Sequence, residues 1–180
     1  MANISQKYAG ALYEVAVKHD SLESVKNDFF EVTEAAASVE NFIDFMDNPK
    51  ITRDKRTAAV EAAFGESDRL LLNLLRILSD KKHMSLLGEI YEEFLSLYDE
   101  AHNQARVTVE SVYKLSAEEL DQLGQIFIDK TGYEKLLITN TINEELIGGV
   151  RVLLGSKVYD GSVRNQLDGI RNNFKEHTNS

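Results

Sequence analysis

The chain has 180 residues, 20 Lys plus Arg against 30 Asp plus Glu, and a formal net charge of −10. It has no cysteine and no tryptophan, and a single proline where ordinary usage would give about 9. The missing cysteine excludes disulfide scaffolds, thiolate metal sites and cysteine nucleophiles, and the acidity weighs against a phosphate-binding surface for nucleic acid.

The scarcity of proline points to long uninterrupted elements, and the first hundred residues read as helices. Asn3 and Gln6 have the spacing of a capping box. Behind them Ile4, Tyr8, Ala11, Leu12 and Val15 recur at helical spacing, while Ala9, Tyr13, Ala16 and Val17 add apolar surface on other sides. Ser21 opens a second helix with a stripe of Leu22, Val25, Phe29, Val32, Ala36 and Val39. A short third helix, Phe42 to Met46, stops ahead of Pro49, because the residue before proline disfavours the helical region. Thr52 caps a fourth, which ends near Gly65. Asp68 or Ser67 opens a fifth, carrying Leu70, Leu71, Leu72, Leu74, Leu75, Ile77 and Leu78. A sixth spans about Ser85 to Asn103 with Leu87, Tyr91, Phe94 and Tyr98 on one side.

The texture changes near Ala105. Arg106 to Tyr113 is alternating and β-branched, so it predicts a strand. Ser116 with Glu119 forms a capping box for a helix that ends at Gly132. Leu136 to Ile142 predicts a second strand. Gly149 to Leu154 and Lys157 to Asp160 flank Gly155-Ser156, a two-residue hairpin signature. Ser162 caps a last helix with Val163, Leu167, Ile170 and Phe174 on one face. The expected architecture is mostly α: a six-helix bundle over residues 1–104, then a small α+β (β-α-β-β-α) module over residues 105–180. No apolar run approaches the ~20 residues of a membrane span, and residues 1–10 carry neither a signal core nor a transit pattern, so a soluble cytosolic chain is expected.

Chemistry is sparse. His19, His83, His102 and His177 share no metal-like spacing. Glu92-Glu93, Glu118-Glu119 and Glu144-Glu145 are adjacent pairs, which on a helix diverge rather than converge for acid–base work. Gly155-Ser156-Lys157 lies between two strands, not between a strand and a helix as a phosphate loop requires. No catalytic, cofactor or metal site is expected.

What remains is surface. The first and fifth helices carry more apolar residues than one bundle stripe needs. Side by side they make a groove for a partner helix; equally, they are central helices of the bundle. The charge is uneven: 11 basic and 19 acidic groups over residues 1–104, but five basic and two acidic from Ile147 to Lys175. That basic end either faces an acidic partner or is an ordinary mixed surface.

Residues 147–164, with Gly148, Gly149, Arg151, Asp160, Gly161 and Ser162, closely resemble the C-terminal signature of the delta subunit of F-type ATP synthase, whose mitochondrial counterpart is the oligomycin-sensitivity-conferring protein. Tyr8 to Leu12 resembles that family's opening helix, and the Asn48-Pro49 break also fits. Leu153 and Asn165 depart from the usual pattern at exterior positions. The resemblance implies a non-catalytic stator subunit without cofactor, joining the catalytic head to the peripheral stalk so that rotor torque drives ATP synthesis. It implies N-terminal helices of the alpha subunits as partners for the bundle, with Tyr8, Ala11, Leu12 and Val15 lining a groove with Leu70, Leu74 and Ile77. It implies b subunits of the stalk as partners for the module, through Val158, Val163, Arg164, Leu167 and Arg171. It implies a peripheral position on the cytoplasmic face of a bacterial membrane. Two alternatives stand beside it: a generic protein–protein adaptor, and a small RNA-binding module sharing the β-α-β-β-α order, which the acidity opposes.

Overall fold

The computed structural model describes residues 3–155 and 157–161. The predicted last helix, with Ser162, Val163, Arg164, Leu167, Ile170, Arg171 and Phe174, lies outside the described residues. Two compact units part between Tyr98 and Asp99.

The first unit is the helical bundle. Helix α1 (Ile4–Lys18) follows Asn3, whose N–H donates to Gln6 Oε1 at 3.0 Å, the half of a capping box that ties the helix start to its third residue. Helix α2 (Leu22–Ser38) buries Val25, Phe29, Val32 and Ala36 as the stripe predicts. Val39 departs from the stripe: it caps the helix in an extended conformation and is exposed. Helix α3 (Phe42–Asp47) ends at Asn48, extended ahead of Pro49. Helix α4 (Arg53–Phe64) starts after Thr52. Its last turn closes tightly on Gly65, where a Cβ would sit 2.5 Å from the Glu61 carbonyl oxygen; glycine is needed there for room, not for a left-handed turn. Asp68 caps helix α5 (Arg69–Lys81) by accepting from the Leu70 N–H at 2.8 Å. A 3-10 turn (Met84–Leu86) leads into helix α6 (Leu87–Ala101), so the predicted sixth helix is tighter in its first turn.

One core joins all six helices: Ala9, Leu12 and Ala16 of α1, Phe29 of α2, Met46 of α3, Val60 of α4, Leu71, Leu75 and Leu78 of α5, and Ile90 and Phe94 of α6. Phe29 and Phe94 pack with ring centroids 5.7 Å apart, and Tyr13 meets Phe94 edge-on at 5.9 Å. Desolvation raises the Tyr13 phenol above its ordinary pKa. On the α2–α6 seam Tyr98 donates to Glu23 while Lys26 sits 4.2 Å from its ring centroid. The hydrogen bond to Glu23, then burial, raises the Tyr98 phenol.

The second unit is a sheet with one described helix on it. Strand β1 (Gln104–Ser111), helix α7 (Ala117–Thr131), and strands β2 (Lys135–Ile142), β3 (Val150–Leu154) and β4 (Lys157–Asp160) follow in order. The sheet order is β2-β1-β3-β4, with β1 and β2 parallel and the other pairs antiparallel. Leu154 pairs with Lys157, and Gly155 has φ 56°, the left-handed backbone that the two-residue hairpin needs. Ala105, Val107, Val109, Phe127, Val152 and Leu154 form the core on the α7 face.

Strand β1 lies two residues earlier than the alternation predicts. Asn140 explains the shift. Its Nδ2 donates to the Val109 carbonyl and to Ser111 Oγ, both at 2.8 Å, and its Oδ1 accepts from the Leu115 N–H at 2.8 Å. Ser111 Oγ donates to the Tyr113 carbonyl at 2.6 Å. These bonds turn the chain after Ser111, leaving Val112 and Tyr113 exposed.

Candidate functional site

The seven groove residues expected from α1 and α5 surround a single cleft of about 240 Å³. Tyr8, Ala11, Leu12 and Val15 span two turns of α1; Leu70, Leu74 and Ile77 span two turns of α5, roughly 10 Å of helix on each side. Leu12 and Leu74 form the floor and are 6% exposed, whereas Val15 is 37% and Ile77 47% exposed on the walls. The cleft is open and apolar because α5 carries two apolar faces. Leu71, Leu75 and Leu78 point into the bundle core, while Leu70, Leu74 and Ile77 face the cleft.

Asn73 also lines the cleft and was absent from the expected set. Its position three residues after Leu70 and four before Ile77 puts it on the same side of α5, a signal carried by spacing and not by hydrophobicity. Its Oδ1 accepts from Arg76 Nη1 at 2.9 Å, and Arg76 Nε reaches Glu61 at 2.6 Å, so a polar chain borders the α5 wall. Hydrogen bonding to Glu61 holds the Arg76 guanidinium above its ordinary pKa. At the α1 wall, Tyr8 meets His83 edge-on at 6.4 Å. Helix α1 is tied to α6 by Asn3 donating to Glu89 and Gln6 donating to Glu93 at 3.3 Å.

In the second unit Gly149, Arg151, Asp160 and Gly161 of the signature have structural roles. Gly149 has φ 74°, which only glycine adopts without strain, and it feeds the chain into β3. Arg151 stands in the cross-strand row Glu110, Arg151, Asp160. Its Nη1 lies 3.2 Å from Glu110 Oε2 and its Nε 3.4 Å from Asp160 Oδ2, so one guanidinium spans β1, β3 and β4. Gly161 donates to the Val150 carbonyl at 3.0 Å, closing the end of β4.

Val158 is 58% exposed on β4 and pairs with Leu153. The strand alternation puts Val158, Leu153 and Arg151 on the sheet face away from the Phe127–Tyr159 contact. The other residues expected to meet the stalk, Val163, Arg164, Leu167 and Arg171, fall outside the described region, as does Ser162.

Among the described residues no group of three or more His, Cys, Asp or Glu could hold a metal ion. His19 and His102 are exposed at helix ends, and His83 precedes the 3-10 turn. No described helix is long and apolar enough to cross a membrane.

Comparison with known proteins adds to this geometry. The model of the family described as ATP synthase delta (OSCP) subunit matches residues 4–174. The chain is 47% identical over 174 residues to the ATP synthase subunit delta of Macrococcus caseolyticus, covering 97% of this chain and 98% of that one. It is 41% identical over 175 residues to the subunit of the same name from Staphylococcus carnosus, with the same coverage. Among solved structures, a chain of the Toxoplasma gondii mitochondrial ATP synthase hexamer superposes with a TM-score of 0.76 at 21% identity, covering 96% of this chain and 98% of that chain. At that identity the likeness is one of fold.

Proposed function

Since the chain belongs to the ATP synthase delta (OSCP) subunit family, we propose that it links the catalytic head of an F-type ATP synthase to the peripheral stalk. The near full-length family match carries this reading. It makes the chain a stator component, and a stator needs binding faces, not reacting groups.

The α1/α5 cleft receives an amphipathic N-terminal helix of an alpha subunit. Its open apolar walls over a sealed floor suit a helix that buries one face, the helix-in-groove mode. The second unit meets the b subunits, with Val158 on the open sheet face as the described part of that surface. Neither contact involves a cofactor, and the chain performs no catalysis of its own. It stays peripheral, on the cytoplasmic face of a bacterial membrane, held there by its partners. With two attachment points on one assembly, each contact raises the effective concentration of the other.

Affinity purification of the tagged full-length chain from its native membrane fraction tests the assignment. Recovery of alpha, beta and b subunits is expected; recovery of none of them refutes it. Ala11→Trp tests the cleft. Ala11 is exposed at the cleft, so the indole fills the groove without entering the core. Binding of an alpha N-terminal peptide should be lost while helical circular dichroism is kept. Undiminished peptide binding would sink the groove assignment.

A further inference from the structure

Among the described residues, Arg56 is a buried cation with no carboxylate partner. The residue is 4% exposed on α4. Its hydrogen bonds among the described residues end on main-chain carbonyls, Nε donating to Ser79 at 3.1 Å and Nη1 to Ile51 at 2.5 Å. Core packing alone does not call for this, because an apolar side chain would fill the space without the cost of desolvating a charge.

The two acceptors show what the guanidinium does. Ser79 lies in the last turn of α5, where the helix dipole is negative; its carbonyl accepts from the Lys82 N–H at 3.2 Å and takes the guanidinium as a second donor. Ile51 lies in the loop just after Pro49. A planar fork with separate donors ties one segment to the other at a set distance. Neighbours reinforce the tie. Asp47 accepts from the Met84 and Ser85 N–H groups at 2.8 and 2.9 Å, and Arg53 makes a two-pronged pair with Asp80 at 2.8 and 2.5 Å. Residues 47–56 therefore grip the α5–α6 corner on both sides. The cleft residue Ile77 is two positions before Ser79.

We propose that Arg56 is a positioning residue for the α1/α5 cleft: by holding the C-terminal turn of α5, it sets Leu74 and Ile77 opposite Tyr8 and Leu12 and so tunes the groove for its helix. This rests on the reading of the cleft as the alpha-subunit site. Arg56 touches no bound helix itself; it acts through α5.

The test uses the full-length chain with Arg56→Met and Arg56→Lys. Three quantities are read: thermal melting, hydrogen exchange of the amides of residues 78–83, and affinity for a synthetic peptide of about 20 residues from the alpha N-terminus, long enough for one helix across the cleft. Arg56→Met should melt near the wild-type temperature, exchange faster at residues 78–83, and bind the peptide about tenfold more weakly, the scale of one charge-assisted hydrogen bond. Arg56→Lys keeps the charge but loses the fork, and should recover part of both effects. Unchanged exchange and affinity in Arg56→Met would overturn the proposal. So would a loss of affinity that merely tracks a lower melting temperature. If Arg56→Met does not fold, the same two readouts on Arg56→Lys decide: local exchange and affinity must shift together with melting unchanged. Wild-type protein that ignores the peptide, together with faster exchange in the variant, refutes the occupant and upholds the clamp on α5.

Discussion

At the scale of single residues, interactions closed within a few positions were legible and those closed across the fold were not. Ser116 and Glu119 stand three apart, and the capping box they predict is formed: Glu119 Oε2 accepts from the Ser116 N–H at 2.8 Å, and Ser116 Oγ from the Glu119 N–H at 3.3 Å. The Ser116 backbone bond, then its hydroxyl and the Tyr113 phenol, lower the Glu119 pKa below the ordinary glutamate value. A folded pKa below the unfolded one stabilises the fold above the unfolded value, and that contribution is lost as pH falls through the folded pKa. A carboxylate titration followed by NMR should place Glu119 below ordinary glutamates, and Ser116→Ala should return it only part of the way, because the backbone N–H at position 116, the larger cause, remains. The same substitution should cost about 1 kcal/mol as a lost cap, read by denaturant unfolding. Arg151 is the opposite case. Its partners Glu110 and Asp160 are 41 and 9 positions away, so spacing along the chain could not reveal them. Arg151→Gln should destabilise the second unit by about 1 kcal/mol or less, since the pairs are partly exposed and screened by solvent. Faster amide exchange in β4 is the local sign; unchanged exchange there would remove its role as a three-strand tie.

At the scale of elements, helix starts were easier to read than ends. Asp68 caps α5 as its residue type predicts, but the other end stops on Lys82 at φ 57°, with its N–H donating to Ser79 at 3.2 Å. A lysine gives no warning of a left-handed cap, which glycine or asparagine would signal. Lys82→Gly should remove the Cβ strain and stabilise the bundle by about 0.5–1 kcal/mol in thermal unfolding. A lower melting temperature would mean that the lysine side chain contributes more than its backbone costs. The excess of apolar residues on α1 and α5 was equally plain, yet it admitted two readings, central helices or groove. The structure divides the set: Leu71, Leu75 and Leu78 are core, and Val15 and Ile77 stand open beside the cleft. A list of apolar positions could not divide itself that way, since the division depends on which neighbours α5 meets. Strand β1 lies two residues earlier than the alternation predicts for a related reason. The alternation continues through Val112 and Tyr113, but Asn140, from another strand, turns the chain away.

For the whole molecule, the proposed link between head and stalk has two small cores to work with. Each unit buries its own apolar cluster, and under the proposed function each partner would meet a different unit. If the chain works as a link, binding should be separable but function should not. A fragment of residues 1–104 should retain the alpha N-terminal peptide and ignore b-subunit peptides. A fragment of residues 105–180 should do the reverse; retention of b peptides by residues 1–104 alone would refute the division of labour. Mixed in equal amounts, the fragments can occupy both sites at once, yet no covalent backbone joins them. Membranes stripped of the native subunit should then recover proton-driven ATP synthesis with the full chain and not with the mixture. The mixture also loses the effective concentration that one attachment lends the other, so raising the fragment concentration separates the two causes. If saturating fragments restore synthesis, the link needs only occupancy. If they do not, the continuous chain through residue 104 itself bears the torque.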